Sequence, residues 1–157
     1  MNNFVPEFLS VLTRYGWVPL SSSKDATNVE ILTIKNGHKQ YVKPKVVSKY
    51  PYQGILKRVE TDSIHIQSIF DNNGDTVINN THKSEIFLKP ASLVISKNKQ
   101  VSGKSLVKFD SLDKIFMSQQ IVNIEDVQWQ GNLVSLFFGE DCIIPVKFSV
   151  DYILIPT

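Results

Sequence analysis

The chain of 157 residues is short of every side chain that usually announces chemistry. It has one cysteine, Cys142, so no intramolecular disulfide can form and a cysteine-rich zinc site is excluded. The three histidines, His38, His65 and His82, show no His-x₃-His or equivalent ligand spacing. His65 alternates with Ile64 and Ile66, which predicts a solvent-facing imidazole on a strand. No apolar run approaches the ~18 residues of a membrane span; Leu133–Phe138, with a serine inside, and Ile143–Val146 are the longest. No basic stretch precedes an apolar core near Met1, so a signal peptide is not expected, and a reducing, cytoplasmic setting is. A Gly-x-Ser-x-Gly elbow is missing. Val101-Ser102-Gly103-Lys104-Ser105 ends like a phosphate loop, but Asn98 stands where that loop needs glycine. Asp141 beside Cys142 opposes thiolate formation, so the thiol is expected to be buried and structural. The acidic pairs Glu125-Asp126 and Glu140-Asp141 fall at predicted turns. These absences lead us to expect no enzyme, no metal and no cofactor.

What is present is ordinary in amount and uneven in distribution. Hydrophobic residues make up 42% and charged residues 20%, a globular balance. The net charge of +2 hides an asymmetry. Residues 35–109 hold thirteen cations against five acids, whereas residues 110–157 hold two lysines against seven acids. A basic middle joined to an acidic end suggests units with different partners.

Pro6 to Leu12 predicts a short helix, with Pro6 at its first position, Glu7 at the positive end of the dipole and Gly16 beyond its end. Thereafter short β patterns dominate. Val29–Ile34 leads to Asn36-Gly37, a strong hairpin signal. Ile55–Val59 and Ile64–Phe70 read as two strands joined through residues 60–63, and Asn72–Asp75 as a turn into Thr76–Ile78. Glu85–Leu88 and Leu93–Ile95 complete the basic part. Ile121–Val127, Leu133–Phe138, Cys142–Val146 and Tyr152–Ile155 follow, with turns at Gln130–Asn132 and Gly139–Asp141. Short strands at this spacing mark small barrels or sandwiches. The expected fold is mainly β: a short N-terminal helix, an SH3-like small barrel, then a second small antiparallel β unit. The units are residues 1–28 (helix and polar loop), 29–96 (basic), 97–109 (linker or exposed hairpin) and 110–157 (acidic). Trp129, Phe137 and Phe138 are expected in the core of the last.

The stretch from Val46 through Gly54-Ile55-Leu56-Lys57-Arg58-Val59 to Ile64 and Ile66 resembles the KOW motif of ribosomal proteins and transcription elongation factors. Phe87-Leu88-Lys89-Pro90 through Ile95 looks like the closing turn and strand of such a barrel. Lys43-Pro44-Lys45 replaces the usual opening Gly-Asp. The resemblance implies an SH3-like barrel in which Gly54 lets the chain bend. A bulge near Lys57-Arg58 would place Leu56 and Val59 inside and project both cations outward. In style, rich in Asn, Ile, Lys and Ser, the chain is also similar to small early host-takeover proteins of T4-like phages.

Aromatics interleaved with cations suit phosphate attraction and base stacking. The candidate nucleic-acid contacts are Lys43, Lys45, Lys49, Tyr50, Tyr52, Lys57, Arg58, Lys83, Lys89, Lys97, Lys99 and Lys104. Lysines outnumber the fork-shaped arginine, which favours backbone attraction over sequence readout. The expected function is therefore non-enzymatic binding of DNA, or of RNA, with low sequence specificity, in a host cytoplasm or nucleoid if the source is viral. The acidic part would contact a basic host protein or pack against the basic part, and no membrane partner is expected. The alternative is a protein-interaction module or inhibitor that uses an exposed β edge and no nucleic acid. It gains if the acidic part neutralises the basic part internally.

Overall fold

The computed structural model describes residues 3–22, 28–66, 79–90, 92–96, 99–102, 108–110 and 116–157. It is mainly β and antiparallel. In chain order the strands are β1 (Val5–Pro6), β2 (Ser10–Thr13), β3 (Gly16–Pro19), β4 (Ile31–Lys35), β5 (His38–Val42), β6 (Val46–Ile66), β7 (Asn79–Leu88), β8 (Leu93–Ser96), β9 (Lys99–Ser102), β10 (Lys108–Asp110), β11 (Phe116–Phe137), β12 (Cys142–Lys147) and β13 (Tyr152–Pro156). The first sheet runs β1-β11-β6-β7, with β10 also on β11. The second runs β13-β12-β2-β4-β5, with β3 on β2. A hairpin of β8 and β9 forms a third, two-stranded sheet, with β8 lying against β13 of the second. Neither large sheet closes into a barrel among the described strands.

The N-terminal helix is not formed. Pro6 lies in β1, Glu7 and Phe8 in a turn, and Ser10–Thr13 in a strand whose Val11 and Thr13 are buried. An isolated helix of this length is marginal in water. As a strand the segment gains pairing with β3, β4 and β12. Gly16, at φ +110°, closes the β2–β3 hairpin instead of ending a helix. Helical structure among the described residues is 3-10 in kind, in the turn Leu20–Ser22 and at Asn28.

Asn36-Gly37 forms the tight turn between β4 and β5, with both residues at positive φ (51° and 76°). Gly139 and Asp141, also at positive φ, turn β11 into β12. Residues 130–132, in contrast, are no turn. They lie inside β11, which pairs with β6 from Phe116↔Ile66 to Phe137↔Val46. Residues 60–63 are likewise continuous strand in β6. This ladder joins the basic and acidic stretches along their full paired length. The expected strand residues 67–70, the turn 72–75 and the strand 76–78 lie outside the described residues.

The main core gathers Leu9, Val11, Ile31, Val59, Ile86, Leu88, Val134, Leu136, Phe138, Ile144, Val146, Ile153 and Ile155. Cys142, 4% exposed, belongs to it. Phe138 is buried and Phe137 half-buried, as adjacent residues on opposite faces should be. Leu56 and Val59 are both buried, 0% and 1% exposed. Their spacing puts them on opposite faces of β6. The ladder runs Leu56↔Val127 to Val59↔Ile124 without a register shift, so no bulge at Lys57-Arg58 is needed. Each residue is covered on its own face.

Candidate functional site: the β6–β11 ladder and its open edge

Four residues in the middle of the ladder form a checkerboard of rings and glycines. Tyr52 stands opposite Gly131, and Gly54 opposite Trp129. All four side-chain positions share one face. Each ring leans along its own strand over the glycine two residues on. A Cβ on Gly131 would lie 2.3 Å from Trp129 Cζ2, and one on Gly54 would lie 3.1 Å from the Tyr52 hydroxyl. The Tyr52 hydroxyl donates to the Ile55 carbonyl at 2.8 Å. Gly54 therefore makes room for a ring within an unbroken strand. Phe8 packs edge-on against Trp129, Phe87 and Phe148 at ring separations of 5.3–5.5 Å, which fixes the aromatic end of this face.

The same face continues into an ion cluster. Arg58 reaches Glu125 at 2.7 Å and Glu85 at 2.6 Å, and it also pairs with Glu60. The hydrogen bonds that the guanidinium donates to the Glu125 and Glu85 carboxylates hold it more firmly protonated than an ordinary arginine, against the opposing effect of desolvation. On the opposite face Lys57 pairs with Asp126. Thus the two cations expected to reach a nucleic acid are engaged by carboxylates, two of which, Glu125 and Asp126, come from the acidic stretch. A groove of about 500 Å³ lies beside the cluster, lined among others by Arg58, Glu60, Asp62, Lys83, Val122 and Ser149. Asp62 Oδ1 is buried there without a hydrogen-bond partner among the described residues.

Lys43, Lys45 and Lys49 are exposed around the start of β6. Tyr50 is half-buried, packs edge-on against Phe4 at 4.7 Å and accepts a long hydrogen bond from Lys89 at 3.4 Å. Tyr52, also half-buried, is turned over Gly54. Lys83 is exposed on β7. Lys97 and Lys104 lie outside the described residues, and Lys99 is placed only as the first residue of β9.

What sequence reasoning missed is the outer edge of β11. β10 covers residues 116–118 and β1 covers Leu133 and Val134. Between them, no described strand pairs with the outer side of β11. The Asn132 carbonyl accepts from the Glu7 N–H at 3.0 Å, on the β1 side. Backbone groups alternate along a strand, so Ile124, Asp126, Gln128 and Gln130 turn their N–H and C=O groups outward, while Glu125, Val127 and Trp129 bond to β6. Pro51 opposite Asn132 agrees, since it has no N–H to give. A register shift between Ile121 and Asn123 leaves Val122 unpaired and 55% exposed at one end of this edge. Ile124 is 38% exposed. The polar residues Glu125, Asp126, Gln128 and Gln130 are the only trace of this edge in the sequence, and Glu125-Asp126 reads equally well as a turn.

No family model matches the chain, and no curated protein matches it. Among solved structures, a GSH-linked, splice-inactive variant of the AceL NrdHF class 3 split intein is similar, with a TM-score of 0.54, 99% of each chain covered and 8% identity. The likeness is one of fold. No described helix is long and apolar enough to cross a membrane.

Proposed function

We propose that this protein is a non-enzymatic interaction module that receives an extended segment of a protein partner along the open edge of β11. The observation that carries this reading is the run of four outward-facing backbone positions, Ile124, Asp126, Gln128 and Gln130, on an exposed stretch between two covered ones. Exposed edges of this kind pair with added strands, and main-chain hydrogen bonds supply much of the affinity. The alternative of nucleic-acid binding through Lys57 and Arg58 is weakened, because each already has carboxylate partners.

A second reading rests on Lys43, Lys45 and Lys49, which are exposed and have no ion pair among the described residues. Three phosphate contacts would give a salt slope of roughly −3 in log affinity, a weak and non-specific attachment to DNA or RNA. The one thiol, Cys142, is buried in β12.

The edge reading is tested by NMR titration with a neutral peptide of roughly eight residues alternating threonine and valine, long enough at ~3.3 Å per residue to span Asn123–Gln130. Shifts should concentrate at the amides of Ile124, Asp126, Gln128 and Gln130. Shifts centred on Lys43–Lys49, or on the edge strand β5, would overturn it.

A further inference from the structure

The edge has a charge character as well as a shape. On the Arg58 face, one guanidinium is surrounded by Glu60, Glu85 and Glu125, which leaves two carboxylates uncompensated. Lys83 and Asp62, cross-strand neighbours in the adjoining groove, cancel each other. Of the three carboxylates, that of Glu125 lies on β11 itself, next to the open edge, and is 47% exposed. Trp129 follows on the same face, four residues further along. The opposite face of the edge carries Ile124, 38% exposed, the exposed neutral side chains of Gln128 and Gln130, and Asp126, already neutralised by Lys57.

Resting on the edge-docking reading above, we infer that the segment received by β11 is cationic: an extended strand alternating basic with apolar side chains, its basic row on the face of Glu125 and Trp129 and its apolar row beside Ile124. An incoming strand places successive side chains on alternate faces, so one row lies level with Glu125 and the ring of Trp129, both of which attract cations. The other row lies level with Ile124. Each basic side chain near Glu125 offsets part of the carboxylate excess, and this adds partner selection to backbone pairing. A second copy of this chain is a poorer occupant. Its own β11 edge brings Glu125 and Asp126 with it and enlarges the excess.

The test compares labelled peptides of roughly eight residues by fluorescence anisotropy at low salt. One alternates lysine with valine, one alternates glutamate with valine, and one repeats the lysine–valine sequence with alternate backbone nitrogens methylated. The lysine peptide should bind the intact chain at least about tenfold more tightly than the glutamate peptide. N-methylation should abolish binding, because it removes the strand's hydrogen bonds and leaves its charge. Glu125→Gln should weaken the lysine peptide by about threefold or more while leaving the glutamate peptide no weaker. Gln128→Pro, which removes an outward N–H without touching the β6 ladder, should act like N-methylation. Equal binding of lysine and glutamate peptides, both lost on N-methylation, would overturn the charge inference and leave edge docking standing. Unchanged binding of the N-methylated peptide would overturn both. A dimer that excludes every peptide would overturn the inference in favour of a second copy.

Discussion

Gly131→Ala probes the checkerboard that keeps β6 and β11 in register. The added methyl would lie 2.3 Å from Trp129 Cζ2 and 2.7 Å from Cη2, well inside contact distance, so the indole must swing away. Its edge-on contact with Phe8, at a ring separation of 5.5 Å, is disturbed by that movement. Overpacking of this sort costs about 1–3 kcal/mol, and a disrupted aromatic pair adds about 0.5–1.5 kcal/mol. The loss of unfolded-chain entropy on replacing glycine returns about 0.4–1 kcal/mol. A net destabilisation of about 2–3 kcal/mol is expected, or roughly 4–12 °C in melting temperature for a chain of this size. Gly54→Ala is the internal control. Its methyl would meet the Tyr52 hydroxyl at 3.1 Å, the tip of a side chain that can yield by a few tenths of an ångström, so stability should change by about 1 kcal/mol or less. Thermal unfolding followed by near-ultraviolet circular dichroism reads both the stability and the Trp129 environment. Equal melting temperatures for Gly131→Ala and the parent chain, with an unchanged tryptophan signal, would refute the argument.

Three further outcomes follow from the same geometry. Phe138→Ala, which empties a core site 6% exposed, should cost about 3–5 kcal/mol by chemical denaturation, whereas Tyr15→Ala, at 98% exposure, should cost no more than about 0.5 kcal/mol. Arg58→Glu places a fourth carboxylate among Glu60, Glu85 and Glu125 and should lower the melting temperature, while Arg58→Gln should do so less; equal melting temperatures for the two would deny the cluster its electrostatic role. If the second reading holds, replacing Lys43, Lys45 and Lys49 together by glutamine should flatten the salt slope of duplex-DNA retention by roughly 3, and a slope left unchanged would place the polyanion contact elsewhere.

The legible parts of this fold are those governed by local backbone chemistry. Asn36-Gly37 specifies its hairpin because both residues tolerate positive φ, and Gly139 does the same at the end of β11. The β class itself is legible in the alternation of apolar residues. Gly54 and Gly131 misled for the converse reason: glycine suggests a bend or turn, yet here it vacates space for a ring two residues away. That requirement is visible only when the ring's direction is known. The N-terminal segment carries an apolar pattern compatible with helix or strand, and its pairing with β12, from residues 142–147, decides the outcome. The cations were legible as an excess, but not their partners. Lys57 and Asp126 are 69 residues apart in sequence, and Arg58 and Glu125 are 67 apart. The open edge left only an ambiguous polar trace in the sequence, since it depends on β1 and β10 covering the two ends of a strand long enough to outrun both.

Site-resolved amide hydrogen exchange along β11 tests the central claim most directly. If the edge is open, the amides of Ile124, Asp126, Gln128 and Gln130 should exchange close to unprotected rates, while those of Glu125, Val127 and Trp129, bonded to β6, should be slower by orders of magnitude. On addition of the lysine–valine peptide, the four fast amides alone should become protected. Uniform protection from Ile124 to Gln130 before any peptide is added would contradict the account, because the outward groups would then already have partners.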